Sequence, residues 1–305
     1  MNQLEMSDQI EVPIVLNDTQ VRSFVENGYL AVPGLVTDDE VEEIRADLLK
    51  LARGGYPCES LEPLPADISD EEALFRILCI HQPHHISPVM RKYVLHSKIC
   101  GALSQITAAH LPYWDGSVKC VQSMAFVKPP GFQGQAWHQD EGYIPTRDRS
   151  IIGAWIALDD ATIENGCLRV IPRSHQTGYL WPQREHENDD EFDFAGECHG
   201  FDESTEVTVE AKTGTLIFFN GYLLHRSFKN RSNYPRRVLV NHYCNAWSLV
   251  PWSVHEGEAP AHADRRGILP VAGVDPYKWK GYDKLGDNVS LRTCKAVREA
   301  DEKAT

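Results

Sequence analysis

The sequence predicts a mainly β protein in which a β-barrel or jelly roll follows a helical flank. Two observations predict this fold class. In the first third of the chain, apolar residues recur at helical spacing and follow residues that can cap helices. From about Ser117, short β-favouring runs alternate with turns. At 305 residues, with 42% hydrophobic and 24% charged residues, the chain can bury one large core. We therefore expect a single domain over residues 1–305.

Residues 1–112 are predicted to form the helical flank. A first helix should run from Asp18 to Asn27 and end at the glycine that follows it. Thr37 and Glu40 form a capping box ahead of a second helix, whose apolar residues recur at helical spacing. Three serines each precede a further helical pattern and are predicted to cap it: Ser69, Ser87 and Ser97.

Residues 113–245 are predicted to form the β core. A β run that begins near Ser117 ends at Pro129-Pro130-Gly131. Two later runs, Ile151–Leu158 and Cys167–Ile171, are joined through a loop with an Asn-Gly pair, which is typical of a β-hairpin.

Two segments outside these runs are the candidate lids of the barrel. Residues 173–205 form a long polar insertion with an acidic run, which predicts a solvated, lid-like loop. Residues 246–305 form a C-terminal extension. Long loops on a rigid scaffold are where specificity is usually built, so we expect both segments to border the site.

The composition excludes several classes of partner. A net charge of -14 and a pI near 5.4 count against nucleic acid and anionic membrane surfaces. The N-terminal residues lack a basic and apolar leader, and no apolar run approaches the roughly 20 residues of a membrane span. The eight cysteines are scattered in a chain too large to need disulfide staples. We therefore predict a cytoplasmic protein with reduced thiols.

The candidate chemistry centres on His138-Gln139-Asp140 and on a downstream histidine, His225. Two histidines and one carboxylate can occupy one face of a six-coordinate Fe(II) and leave the other positions open to a co-substrate and oxygen. A second His-x-Asp step, His262-Ala263-Asp264, lies in a proline-rich stretch and has no histidine after it. Order and context therefore favour His138, Asp140 and His225 as the ligand set.

Arg236 is the candidate anchor for the far end of the co-substrate. A dicarboxylate that reaches from the metal into the barrel needs a permanent cation there, and arginine can bind a carboxylate through two hydrogen bonds. Ser227 could donate to the same carboxylate. Arg237 would point to the opposite face of the strand, so only one of the two arginines can face inward, and spacing alone leaves open which one.

Two other function classes remain open on these residues. A catalytically silent barrel that binds a small acid would keep the fold but lose a ligand or the arginine, and neither is lost. A zinc hydrolase could use two histidines and an aspartate, although it has no use for Arg236. The crowded His81, His84 and His85 suggest a second metal, but histidines beside proline are more typical of exposed or substrate-side loops.

Four stretches between Val121 and Tyr243 resemble the phytanoyl-CoA dioxygenase family of Fe(II)/2-oxoglutarate oxygenases, in their order and spacing. The opening helices also resemble that family, whereas residues 246–305 do not. The four stretches are Gln122-Ser123-Met124 with Lys128-Pro129-Pro130; Trp137-His138-Gln139-Asp140; Trp155-Ile156-Ala157-Leu158 through Glu164-Asn165-Gly166-Cys167-Leu168 to Ile171-Pro172-Arg173-Ser174-His175; and His225-Arg226-Ser227 with Asn230 and Arg236.

The resemblance implies a double-stranded β-helix core, which is a jelly roll of the cupin-like kind. It implies a catalytic iron with three ligands: His138, Asp140 and His225. It also implies that 2-oxoglutarate is bound by four residues, of which the first two hold its distal carboxylate: Arg236, Ser227, Trp155 and Gln122. By the same resemblance Arg236, and not Arg237, is the inward-facing arginine.

The implied cofactors are Fe(II), the co-substrate 2-oxoglutarate and O2. A halogenating relative would have a small residue in place of Asp140, so hydroxylation of an unactivated C–H is the expected reaction. The 2-oxoglutarate would be decarboxylated to succinate and CO2, while desaturation and ring closure remain alternatives.

The expected substrate is a small organic molecule, and no oligomeric state is predicted. Arg173 and Arg226 depart from the residues common in the family, so phytanoyl-CoA itself is not the expected substrate. An anionic substrate is a hypothesis that rests on four arginines near the presumed mouth: Arg147, Arg149, Arg173 and Arg226.

Overall fold

The computed structural model describes residues 9–61, 63–109, 114–249, 267–282, 285–286 and 289–293. These residues contain five α-helices: α1 (Asp18–Asn27), α2 (Asp38–Ala52), α3 (Asp70–Arg76), α4 (Pro88–Val94) and α5 (Ser97–Ala108). They also contain the strands β1 (Tyr29–Val32), β2 (Ile77–His81), β3 (Val118–Lys128), β4 (Gln135–His138), β5 (Ile152–Ala157), β6 (Leu168–Val170), β7 (Gln183–Arg184), β8 (Glu197–Cys198), β9 (Val207–Val209), β10 (Leu216–Asn220), β11 (His225–Ser227), β12 (Arg236–Asn245), β13 (Leu269–Ala272) and β14 (Ser290–Thr293).

Two antiparallel sheets enclose a cavity. The larger sheet has the strand order β1-β10-β5-β12-β3-β2-β14, with β13 beside β3, and the smaller has the order β4-β11-β6-β9. Strands β7 and β8 pair only with each other among the described residues. Residues of both larger and smaller sheets line the cavity between them. This arrangement is a jelly roll with helices outside.

The helices cover the outer face of the larger sheet. Successive side chains of a strand point to opposite faces, so β12 serves two environments. Leu239 packs in the cluster that contains Ile44 and Leu48 of α2. Val238 and Val240 face the other way and line the cavity. The capped, amphipathic helices therefore close one side of the sheet and leave its inner face for the site.

The flank is less purely helical than predicted. Besides its helices, the flank contains the strands β1 and β2, and both join the larger sheet. The cap predicted at Ser97 is wrong by one residue, because the His96 side chain accepts from the Ile99 amide and Ser97 is the first helical residue. The predicted boundary at residue 112 lies outside the described residues.

The predicted hairpin at Asn165-Gly166 is wrong. Strand β5 lies in the larger sheet and β6 in the smaller one, so the loop carries the chain from one sheet to the other. Gly166 does have the positive φ, 76°, that a tight turn requires. An Asn-Gly pair reports only this local backbone conformation, and the pairing of the strands is decided by distant partners.

The insertion 173–205 is not simply a solvated loop. It contains β7 and β8, and its Phe192 and Cys198 side chains are buried. Asp193 and Phe194 line the cavity. The acidic side chains of the run are exposed as far as Asp190, as expected of a solvated segment, whereas its end and part of the later insertion form a wall of the site.

Candidate metal centre

The smaller sheet brings His138 and His225 side by side. His138 ends β4, His225 begins β11, and the two are direct partners across these strands. Partners in an antiparallel pair point to the same side, and the ring centroids lie 4.0 Å apart. Asp140 Oδ1 lies 3.8 Å from Nε2 of His138 and 3.7 Å from Nε2 of His225. Ligand atoms of all three residues lie within 4.8 Å of one another.

Backbone carbonyls determine which nitrogen of each imidazole faces this centre. Nδ1 of His138 lies 2.8 Å from the Ala136 oxygen, and Nδ1 of His225 lies 2.9 Å from the Leu223 oxygen. A carbonyl only accepts, so each Nδ1–H donates and each Nε2 keeps a lone pair for a metal. Burial and the nearby His225 lower the pKa of His138 to about 3. This keeps the ring neutral, which is the form that binds metal ions.

His242 holds Asp140 from the larger sheet. Its Nε2 lies 3.0 Å from Asp140 Oδ2, which leaves Oδ1 toward the two imidazoles. Burial opposes the charged carboxylate, but the imidazoles of His225 and His242 hold the pKa of Asp140 below its usual range. The sequence predicts no more than a structural role for His242, because its partner is 102 residues away and no local pattern links them.

Two buried cations lie further along the cavity. Arg236 and Lys128 are direct partners across β12 and β3, and both line the cavity. Arg236 donates to the Gly166 oxygen at 2.5 Å and lies over the ring of Trp155, 5.5 Å from its centroid. Burial lowers the pKa of Arg236 to about 10, so it is charged at neutral pH. In the described part of the chain no carboxylate pairs with either cation, so the pair is suited to an anion that enters the cavity.

Lys128 also orients Ser227, and sequence reasoning missed it. Its Nζ donates to Ser227 Oγ at 2.9 Å, to the Phe228 oxygen at 2.7 Å and to the Gly166 oxygen at 3.4 Å. Burial and the neighbouring Arg236 lower the Lys128 pKa, but three acceptors match the three N–H groups of an ammonium. Ser227 Oγ accepts a second hydrogen bond from the Gln135 amide at 3.4 Å. Its own O–H is then left to donate into the cavity.

The cavity has a volume of about 510 Å³. It has an apolar wall on the larger sheet that includes Met124, Phe126, Val238 and Val240. All the residues predicted for the site line it: Gln122, His138, Asp140, Trp155, His225, Ser227 and Arg236. The adjacent Arg237 points away and pairs with Asp159 on the other face, as the resemblance implied.

The prediction that four arginines lie at the mouth of the cavity is wrong for three of them. Arg173 is exposed and pairs with Glu26, and neither Arg147 nor Arg149 lines the cavity. Arg226 does line it, but its guanidinium is paired with two carboxylates, Glu203 at 3.2 Å and Glu206 at 2.6 Å. A second cavity cation that sequence reasoning missed, besides Lys128, is Arg292 on β14. Its strand forms only through long-range pairing with β2.

The three crowded histidines occupy different positions. His81 ends a strand, β2, and lines the cavity. His84 and His85 are buried in a 3-10 turn, so the expectation of exposed loop residues is wrong for them. His84 Nδ1 lies 2.5 Å from Ser123 Oγ. Among the described residues, the one cluster with metal-ligand geometry is that of Asp140 with its two histidines, and the second His-x-Asp step lies outside the described residues.

Comparison with known proteins identifies the family. The family model of phytanoyl-CoA dioxygenase (PhyH) matches residues 24–238, which include every predicted site residue. The chain belongs to the phytanoyl-CoA dioxygenase family. The predictions of this family and of a dioxygenase are thereby confirmed.

Curated relatives support the assignment along most of the chain. The chain is 29% identical to phytanoyl-CoA dioxygenase 1 of Oryza sativa subsp. japonica over 272 residues, 78% of this chain and 93% of the relative. It is 34% identical to phytanoyl-CoA dioxygenase of Arabidopsis thaliana over 177 residues, 56% of this chain and 59% of the relative. A relative from Rattus norvegicus, 27% identical over 75% of this chain and 68% of its own, is named peroxisomal. A cytoplasmic location therefore stays a prediction.

Solved structures share the fold. They include the non-heme monooxygenase ThoJ, with a TM-score of 0.62 and 19% identity over 93% of this chain and 94% of that one. The non-heme carbocyclase SnoK has a TM-score of 0.57 and 23% identity over 81% of this chain and 91% of its own. At these identities the likeness concerns the fold, and it confirms the predicted cupin-like jelly roll. Among the described residues the longest helix has 15 residues, and none has the length and apolarity to cross a membrane.

Proposed function

We propose that the protein is a non-haem Fe(II)- and 2-oxoglutarate-dependent dioxygenase that hydroxylates an unactivated C–H of a small organic substrate. The observation that carries the proposal is one cavity with two complementary ends. Three neutral or anionic ligand groups converge at one end, and two buried cations without a carboxylate partner among the described residues lie along the same wall. A zinc hydrolase would need the ligand groups at the first end but would not need the buried cations at the second.

The ligand groups fit iron. His138 and His225 present Nε2 lone pairs because backbone oxygens hold their Nδ1–H groups, and Asp140 presents Oδ1 because His242 holds Oδ2. Two imidazoles and one carboxylate on one face are the donor set of non-haem Fe(II) oxygenases. Ligand atoms of the three residues already lie within 4.8 Å of one another, so no rearrangement of the strands is needed to gather them.

The other residues fit 2-oxoglutarate. Arg236 supplies a planar, charged fork for the distal carboxylate, and the Ser227 O–H is available to donate to the same acceptor. Lys128 adds a second positive charge beside Arg236. Trp155 packs under the guanidinium and Gln122 lines the same face, so both are proposed as further contacts.

When bound, the iron, 2-oxoglutarate and O2 together supply an oxidant that can break an unactivated C–H bond, with 2-oxoglutarate converted to succinate and CO2. One oxygen atom enters the substrate and the other enters succinate. The protein's own contribution is positional. The apolar wall of Met124, Phe126, Val238 and Val240 excludes water and holds one C–H toward the ligand set.

The test is anaerobic addition of Fe(II) and then 2-oxoglutarate, with the visible metal-to-ligand charge-transfer band as the measurement. The wild type should develop the band. Arg236→Gln should bind iron normally but need about 10- to 100-fold more 2-oxoglutarate, because a charge-assisted pair is lost. Arg237→Gln is the matched control, since the neighbouring arginine pairs with Asp159 outside the cavity and should leave the band unchanged.

The alternatives give different results in this experiment. A zinc hydrolase would retain zinc after purification and develop no band with iron and 2-oxoglutarate. A silent barrel would bind the acid but release no succinate from it in air. Either outcome would refute the oxygenase, and succinate release that depends on Asp140 would exclude both.

A further inference from the structure

Arg292 faces the cavity from the C-terminal extension. It lies on β14, the edge strand of the larger sheet, opposite Cys79 of β2, which in turn lies opposite Phe126 of β3. Direct partners across antiparallel strands point to the same side. Arg292 therefore shares the inner face of the sheet with Phe126, and both line the cavity.

The hydrogen-bond donors of Arg292 are unused within the part of the chain that the structure describes. Its guanidinium forms no ion pair or hydrogen bond there and lies over the ring of Phe194, 4.9 Å from the centroid. Each of the other cavity cations has a partner: Arg226 pairs with two glutamates, Lys128 donates to three oxygens and Arg236 donates to the Gly166 oxygen. A half-buried guanidinium with free donors in a cavity is suited to an oxyanion.

The contact between Arg292 and Phe194 joins the two segments that the sequence marks as lids. Phe194 belongs to the insertion 173–205, and Arg292 belongs to the extension 246–305. Phe194 lines the cavity but is 69% exposed, so it lies where the cavity opens to solvent. Arg292 is therefore at the entrance, at a distance from the two cations assigned to 2-oxoglutarate.

The formal charges of the loaded cavity leave one positive charge without a partner. Fe(II) is balanced by Asp140 and by the metal-binding end of 2-oxoglutarate. Three cations, Lys128, Arg236 and Arg292, then face Asp193 and the distal carboxylate of 2-oxoglutarate. The half-buried guanidinium of Arg292 is therefore available to pair with one further anion.

The wall between Arg292 and the ligand set fixes the shape of that anion's carrier. Strand β14 is three strand spacings from β12, which is about 14 Å. The side chains that line the cavity between them are mostly apolar and include Leu78, Met124 and Phe126. A molecule that fills this space has an apolar body and one charged end. The cavity of about 510 Å³ must also hold 2-oxoglutarate, so the molecule is small.

We propose that Arg292 binds the carboxylate of the substrate and that the enzyme acts on small, otherwise apolar carboxylic acids. The proposal rests on the proposed oxygenase function and assigns its substrate class. Arg292 would hold the acid at the entrance, Phe194 would cover the ion pair, and the apolar body would extend toward His138 and Asp140. This proposal replaces the hypothesis that four arginines near the mouth bind an anionic substrate. It assigns that role to Arg292 of the extension.

The test uses the anaerobic complex with Fe(II) and saturating 2-oxoglutarate, whose visible band responds when a second molecule binds beside the metal. The probes are hexanoate, octanoate and phenylacetate, each compared with its primary amide. Wild type should respond to the acids at concentrations about tenfold or more below those of the amides, because only the acids form the charge-assisted pair. Arg292→Gln should lose this preference, and Arg292→Lys should keep part of it.

Arg184→Gln is the matched control, because Arg184 is an exposed arginine of the insertion that pairs with Glu197. It should behave as wild type. If wild type responds equally to acids and amides, or to neither, or if Arg292→Gln keeps the full preference, the proposal is overturned. Failure of the oxygenase function looks different, since no band would form with Fe(II) and 2-oxoglutarate alone.

Discussion

Asp140 divides its two carboxylate oxygens between the two sheets. Oδ2 accepts from His242 of the larger sheet at 3.0 Å, and Oδ1 faces the imidazoles of His138 and His225 at 3.8 and 3.7 Å. Rotation of the carboxylate would leave a buried N–H without an acceptor, which costs about 1–3 kcal/mol. The larger sheet therefore orients Asp140, although this candidate ligand follows a strand of the smaller sheet.

Replacement of His242 by leucine should weaken iron binding about 10- to 100-fold, because the hydrogen bond that orients Asp140 is lost. Anaerobic titration with Fe(II) measures the affinity. His242→Gln offers an N–H near the same position and should recover part of the loss. Unchanged affinity in the leucine variant would show that Asp140 is oriented without His242.

Replacement of Lys128 by methionine should raise the KM for 2-oxoglutarate about tenfold or more. The change removes a buried positive charge beside Arg236 and the hydrogen bond that turns the Ser227 hydroxyl toward the cavity. Steady-state succinate release at varied 2-oxoglutarate gives the KM. Lys119→Met is the control, because Lys119 is also buried on β3 but donates to the Ser248 oxygen and does not line the cavity. An equal effect in both variants would point to general destabilisation.

Alanine at Gly166 should cost more stability than alanine at Gly131. Both glycines have a positive φ, 76° and 77°, so both variants incur a backbone penalty of about 1–2 kcal/mol. A Cβ on Gly166 would lie 2.1 Å from the Phe228 oxygen and 2.9 Å from Lys128 Nζ, whereas nothing lies within 4 Å of one on Gly131. Urea unfolding should show the difference, and Gly166→Ala should also raise the KM for 2-oxoglutarate. Equal losses would contradict the close approach.

The His84→Asn variant should be less sensitive to acid than wild type. Burial, with His85 next, lowers the pKa of His84 to about 3, whereas an unfolded histidine titrates near 6.5. The unfolded state therefore binds more protons between these values, so stability is full above pH 6.5 and is lost as the pH falls toward 3.

At pH 5 this histidine should lower the free energy of unfolding of the wild type by about 2 kcal/mol relative to pH 7.5. Asparagine keeps a polar group near Nδ1, where it can meet Ser123, and does not titrate. Urea unfolding at the two pH values measures the difference between wild type and variant. Identical losses of unfolding free energy in both proteins would contradict the prediction. They would mean that the folded protein protonates His84 as readily as the unfolded chain does.

Features that depend on neighbours in the chain could be predicted from the sequence. The capping box at Thr37, the stop of α1 at Gly28 and the strands β3 and β5 agree with the structure. Each depends on side-chain spacing or on hydrogen bonds within one turn. The order of His138, Asp140 and His225 could be found in the same way, because these candidate ligands stand at or just after strand ends.

The errors occur where distant segments decide the outcome. Asn165-Gly166 predicted a hairpin, but the two strands it joins pair with β10, β12, β11 and β9. His81 was assigned to a loop, although pairing of β2 with β3 and β14 makes it part of the larger sheet. The free energy of these pairings comes from partners far along the chain, so no local pattern reports them.

The sequence by itself determined the fold class, the family and the candidate residues for iron and 2-oxoglutarate, since these depend on periodicity and on motifs that keep their order. Only the tertiary structure decided which other side chains lie beside them or in the same cavity. Lys128 beside Arg236, His242 behind Asp140 and Arg292 at the entrance all act through contacts across strands. The reason is physical: burial and electrostatic pairing depend on distance in space, which a linear spacing does not encode.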